Sequence, residues 1–165
     1  MVQECAMNSL AHVVIPSEGK RYVAHSTTDV CIRKVSTNPL CGSEKIERVV
    51  SVFFNTGWGS LWMKNNDRYG GGEPGPGLEA AAWLIDKGVC VVGADSWGVE
   101  AVPNPDKNLA FPVHGELITK NGIFIHENLV FDALIADRKY QFVYVFAPAP
   151  VRGATGSNGN PIALT

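Results

Sequence analysis

From Arg48 onward, apolar runs alternate with turn-forming clusters closely enough to name the elements. ERVVSVFF (47–54) is β-branched and aromatic throughout, the composition of a buried strand, and the turn residues NTGWG close it. GEPGPG (72–77) breaks the chain. GLEAAAWLIDKG (77–88) then places Leu78, Ala81, Ala82, Leu84 and Ile85 at helical spacing, with Gly88 just past the helix end. VCVVGAD (89–95) is a second buried strand, so strand, helix and strand form a crossover with parallel neighbours. A Pro/Asn loop (101–112) leads into HGELITK, a short amphipathic helix, an Asn-Gly turn and the strand IFIHENL. KYQFVYVFAPAP (139–150) is another strong strand, and a Gly-rich loop precedes a terminal strand in GATGSNGNPIALT (153–165).

The stretch before Arg48 reads differently. HVVI and KRYVA each suit a short strand, but STTDVCIRKVSTNPLCGSEK has neither helical nor strand periodicity. The expected organisation is a divergent amino-terminal segment, 1–47, followed by a domain over 48–165.

Composition narrows the class. At 165 residues, 45% hydrophobic, 18% charged and with net charge −2, the chain suits one domain with a real core. Neither disorder nor a nucleic-acid surface is suggested. AAAWLI is too short to span a bilayer, and no apolar signal segment follows Met1, so a cytoplasmic protein is expected. Cys5, Cys31, Cys41 and Cys90 show no C-x-x-C spacing, which favours reduced thiols.

The candidate chemistry centres on His114 and Glu127. An imidazole and a carboxylate are ordinary ligands for zinc or manganese, although a catalytic site usually takes three protein ligands. The ordinary alternative for His114 is a capping or surface histidine. Glu127 shares a strand face with Ile125 and Leu129 if alternation holds, and an inward carboxylate there needs a cation or donors. His126 then faces the other way, toward solvent or an interface. Trp58 follows a strand on a loop, suited equally to packing and to lining a pocket for an aryl substrate. Asp95 and Trp97 follow the second strand, where α/β sheets often bind ligands, though Asp95 also suits a turn. GATGSNGNP lacks the Lys-Ser/Thr of a phosphate loop and reads as a turn.

The stretches FNTGWGSLW, PGPGLEAAAWLIDKGVCVVGADSWGVEAVPNPD, LAFPVHGELITKNGIFIHENL and FAPAPVRGATGSNGNPIAL resemble the carboxy-terminal part of the cyclase family of metal-dependent hydrolases. That family includes kynurenine formamidases and isatin hydrolases. The resemblance implies an α/β fold with a mixed sheet of the swivelling β/β/α type, a homo-oligomer, and divalent manganese or zinc. It implies that His114 is a metal ligand and that Glu127 is a ligand able to bridge two ions; Trp58, Asp95 and Trp97 are the substrate-binding candidates by their own positions after the strands. The implied reaction is hydrolysis of a small aryl-amide or lactam, such as N-formylkynurenine to kynurenine plus formate in tryptophan catabolism.

The family's main metal motif, H-x-G-T-H-x-D, is not matched. His25-Ser-Thr-Thr-Asp29 begins with His and ends with Asp but lacks the second His and the Gly, so no ligand role passes to His12, His25 or Asp29. Two readings follow: a cyclase-family hydrolase, or a truncated or degenerate member acting as a binding or oligomerisation module.

Overall fold

A computed structural model describes residues 9–14 and 50–165. Six strands form one mixed sheet: β1 (Ser9–Val14), β2 (Val50–Phe54), β3 (Val89–Ala94), β4 (Phe124–His126), β5 (Gln141–Val145) and β6 (Ile162–Leu164). Their order across the sheet is β4-β3-β2-β1-β5-β6. Neighbours from β4 to β1 run parallel, while β5 and β6 are added antiparallel. The strand expected in HVVI is thus part of β1, between β2 and β5. KRYVA, His25, Asp29, Cys5, Cys31 and Cys41 lie outside the described residues, and so does most of the segment 1–47.

The crossover between β2 and β3 carries a 3-10 turn (Trp58–Leu61), α1 (Asn66–Gly70) and α2 (Leu78–Asp86). Asn65 Oδ1 caps α1 by accepting from the Arg68 amide at 3.1 Å. Gly88, at φ +67°, ends α2 in the left-handed conformation that glycine adopts without a Cβ penalty. Ala81 and Leu84 form the buried stripe of α2, whereas Leu78 and Ala82 are exposed, so the apolar face is narrower than the spacing implied.

Side chains from the two sheet faces enter two cores. Val52, Val92 and Ala94 pack with Ala81, Leu84, Val113 and Leu117 on the α2 side. Phe53 and Val91 pack with Leu129, Phe131, Phe142 and Tyr144 on the other, below α4 (Asp132–Ala136). Strict alternation breaks once. Val50 pairs with Val89 but Ser51 pairs with Val91, so Cys90 is the extra residue of a bulge. Cys90 therefore packs on the same side as Val91.

Two expectations around the candidate ligands change. HGELITK is not a regular α-helix: α3 (Pro112–His114) widens at once into a π-helix (Gly115–Lys120), a form that recurs at functional sites. The strand ends at His126, and Asn128 turns the chain at φ +57°. Ile125 consequently packs toward α2 while Leu129 packs in the Phe53 core, so the two do not share a face. Glu127 lies on the connecting turn with its side chain 41% exposed, not inward among aliphatics.

Candidate functional site

The sequence-derived site residues gather at the carboxyl ends of parallel strands β2, β3 and β4, the place where open α/β sheets hold ligands. Trp58 follows β2, Asp95 and Trp97 follow β3, and Glu127 follows β4. His114 stands where α3 passes into the π-helix.

His114 is held between two carboxylates. Its Nδ1 lies 2.6 Å from Glu100 Oε1 and its Nε2 lies 3.7 Å from Glu127 Oε1. Glu127 and Glu100 together raise the His114 pKa above its ordinary value, Glu127 contributing most, against the opposing effect of burial. The Phe111 ring packs edge-to-face with the imidazole at 5.4 Å between centroids.

Asp95 takes a different place. Its Oδ1 accepts from the Thr56 amide at 2.7 Å and the Thr56 hydroxyl at 2.6 Å, and its Oδ2 accepts from the Gly59 amide at 3.1 Å. The carboxylate thus ties the end of β3 to the loop that carries Trp58. The indoles of Trp58 and Trp97 meet on one acceptor: both Nε1–H groups donate to the Tyr69 carbonyl, at 3.2 Å and 2.8 Å. The Tyr69 hydroxyl donates to Asn128 Oδ1, next to Glu127, which links the tryptophan pair to the β4 turn. Burial, with the charges of Glu73, Asp95 and Glu127, raises the Tyr69 pKa. Trp58 also lines an open pocket of about 450 Å³ with Arg68, Glu73, Pro74 and Val102; His114 and Glu127 are not among its walls.

His126 is not a solvent residue. It is half-buried against Phe146, with Nδ1 hydrogen-bonded to the Tyr144 hydroxyl, and burial lowers its pKa.

Sequence reasoning missed Glu73, Tyr69 and Glu100. Glu100 is 1% exposed and Glu73 6% exposed. The one available signal for Glu100 was a lone charge flanked by Val99, Ala101 and Val102. Backbone strain marks the same region. Of the five non-glycine residues at positive φ among the described residues, Val99, Phe111 and Asn128 adjoin Glu100, Pro112 and Glu127. A β-branched residue such as Val99 adopts that conformation only when its surroundings over-determine it.

The donor set fits a divalent cation in kind. Nitrogen and oxygen donors 3.7 Å apart are close to the spacing of two ligands on one ion, about 3–3.5 Å for bonds of about 2.1 Å. Among the described residues the Lys and Arg ion pairs are Lys87 with Asp86 and Lys120 with Glu116, so none of them meets Glu73, Asp95, Glu100 or Glu127. The described residues contain no group of three or more His, Cys, Asp or Glu able to hold a metal. No helix among them is long and apolar enough to cross a membrane.

Comparison with known proteins points to one family. The model of a family described as putative cyclase matches residues 23–101, beginning inside the segment before Arg48. The fold is similar to the crystal structure of a novel cyclase, with 28% sequence identity and a TM-score of 0.61, over 71% of this chain and 40% of that one. The chain therefore spans less than half the length of that structure. No curated protein matches it. The family match and the likeness in fold both support the cyclase family for this chain.

Proposed function

We propose that the chain acts as a metal-dependent amide or lactam hydrolase of the cyclase type, with His114 and Glu127 holding a divalent manganese or zinc ion. The observation that carries this reading is the 3.7 Å approach of His114 Nε2 to Glu127 Oε1 at the carboxyl ends of the parallel strands. When bound, such an ion supplies Lewis acidity toward a carbonyl and acidifies water. The protein's own part is placement. Asp95 fixes the loop bearing Trp58, and the shared Tyr69 carbonyl fixes both indoles. Flat apolar surfaces beside a polar pair suit a small aryl-amide or lactam, with N-formylkynurenine and isatin as substrates to test. Assembly into a homo-oligomer belongs to the same proposal, supported by the exposed apolar side chains of Phe124 on edge strand β4 and of Val130 beyond it.

A second reading is favoured by one observation: only two donors meet among the described residues. On that reading the chain is a family member without catalysis, serving as a binding or oligomerisation module. Calorimetric titration of Mn²⁺ and Zn²⁺ into the chain and its His114→Ala variant separates the two, alongside absorbance assays with both substrates. Micromolar or tighter binding lost in the variant, with turnover, is the result expected for the hydrolase. Binding equal in both proteins, without turnover, would leave the module.

A further inference from the structure

Burying a carboxylate is costly unless donors meet it, and Glu100 is met from one direction only. Its Oε2 accepts from the Val113 amide at 2.9 Å. Its Oε1 accepts from the His114 amide at 3.2 Å and lies 2.6 Å from His114 Nδ1. Three nitrogens from two consecutive residues thus converge on one buried group, fixing the ring relative to its own backbone. The chain prepares this position at some cost. Val99, with its positive φ, precedes Glu100, and Gly75 approaches the Glu100 backbone so closely that an added Cβ would lie 2.5 Å from its carbonyl carbon.

An ionised carboxylate only accepts hydrogen bonds, so the 2.6 Å contact requires a proton on Nδ1. In a neutral ring, Nε2 then carries the lone pair, and Nε2 is the nitrogen facing Glu127. We infer that Glu100 is the positioning residue of this site: it holds His114 in the Nδ1–H tautomer and aims Nε2 at a cation shared with Glu127. The cation in this inference rests on the metal reading above. A carboxylate behind a ligating imidazole orients the ring and strengthens it as a ligand, and losing such a partner typically costs 10- to 100-fold in metal affinity.

Two measurements on the full 165-residue chain test it. Nitrogen-15 NMR of the metal-free protein at alkaline pH, where the ring is neutral, reads the tautomer directly, with the His114 signals assigned by their loss in His114→Ala. Nδ1–H is expected; Nε2–H overturns the assignment. Zn²⁺ and Mn²⁺ titrations then compare wild type with Glu100→Gln, which keeps the size and removes the charge. A 10- to 100-fold weaker affinity is expected, and wild-type affinity in Glu100→Gln overturns the positioning role while leaving the metal reading intact. If Glu100→Gln does not fold, the wild-type tautomer decides alone. A wild-type chain that binds neither ion removes the metal reading and the cation half of this inference, and the tautomer still decides whether Glu100 sets the ring.

Discussion

Glu73 Oε2 accepts hydrogen bonds from the amides of Trp97 at 2.7 Å and Gly98 at 3.0 Å, so a carboxylate from the Gly/Pro stretch grips the loop leaving β3. The main chains join there as well: the Glu73 amide donates to the Val102 carbonyl and the Val102 amide to the Glu73 carbonyl, at 2.8 Å and 2.9 Å. Glu73 Oε1 is buried without a hydrogen-bond partner among the described residues, and an added Cβ on Gly98 would lie 2.9 Å from it. Trp97 and Glu100 are both on this loop, so Glu73 anchors the segment that carries them.

This anchor makes stability depend on pH. Burial raises the Glu73 pKa from 4.5 to about 7, overcoming the backbone amides that favour its ionised form. The folded chain thus binds the proton more tightly than the unfolded chain does. The contribution of Glu73 is complete below pH 4.5, declines as pH rises, and is lost above about 7. At 1.36 kcal/mol per unit the span is roughly 3 kcal/mol. Urea denaturation at pH 5 and pH 8 should show a larger loss in wild type than in Glu73→Gln. Equal losses in the two proteins would contradict the anchor.

Asp95 should act on stability more than on ligand contact. Asp95→Ala strips acceptors from Thr56 and Gly59, whose donors are only part-buried and so partly regain water. A loss of about 2–3 kcal/mol is expected in denaturant unfolding. Freed from its brace, the Trp58 loop should also shift tryptophan emission to longer wavelength. An unchanged spectrum and midpoint would mean that the loop is held by other contacts.

What the sequence disclosed followed from the length of each signal. VSVFF, VCVVGA and QFVYV are uniform apolar runs, and each is a strand whichever neighbours it finds. The bulge at Cys90 and the π-helix after His114 are decided by register and packing over a few residues, too short for periodicity to reveal. Glu127 was misplaced for a related reason, since alternation was carried three residues past the end of β4, to Leu129. Glu73 and Glu100 declare themselves only through partners 13 to 25 positions away, which no local pattern encodes. Position, by contrast, was legible: Asp95 and Trp97 do lie past the end of a parallel strand.

Phe53 tests the core that sequence made plain. It is 1% exposed and stacks on Phe142 at 6.0 Å, with Phe131 at 6.1 Å and Tyr144 at 4.8 Å. Phe53→Ala should cost about 3–5 kcal/mol, because rings from separate elements cannot all close on the cavity. A loss below about 1 kcal/mol would mean that the cluster repacks freely.

Gly75 offers the sharpest test of the link between the Gly/Pro stretch and the site. A Cβ there would lie 2.5, 2.6 and 2.8 Å from the carbonyl carbon, Cα and nitrogen of Glu100, all main-chain atoms with no rotamer to yield. Gly70, five residues earlier on α1, has nothing within 4 Å of the same added atom and serves as the control. Gly75→Ala should lose about 1–3 kcal/mol by overpacking, whereas Gly70→Ala should stay within about 1 kcal/mol of wild type. The backbone shift also draws Glu100 from Val113 and His114, so Gly75→Ala should weaken Zn²⁺ or Mn²⁺ binding in calorimetry while Gly70→Ala does not. Equal stability and equal binding in the two variants would separate the Gly/Pro stretch from the site, since a displaced Glu100 cannot keep its 2.6 Å contact with the His114 ring.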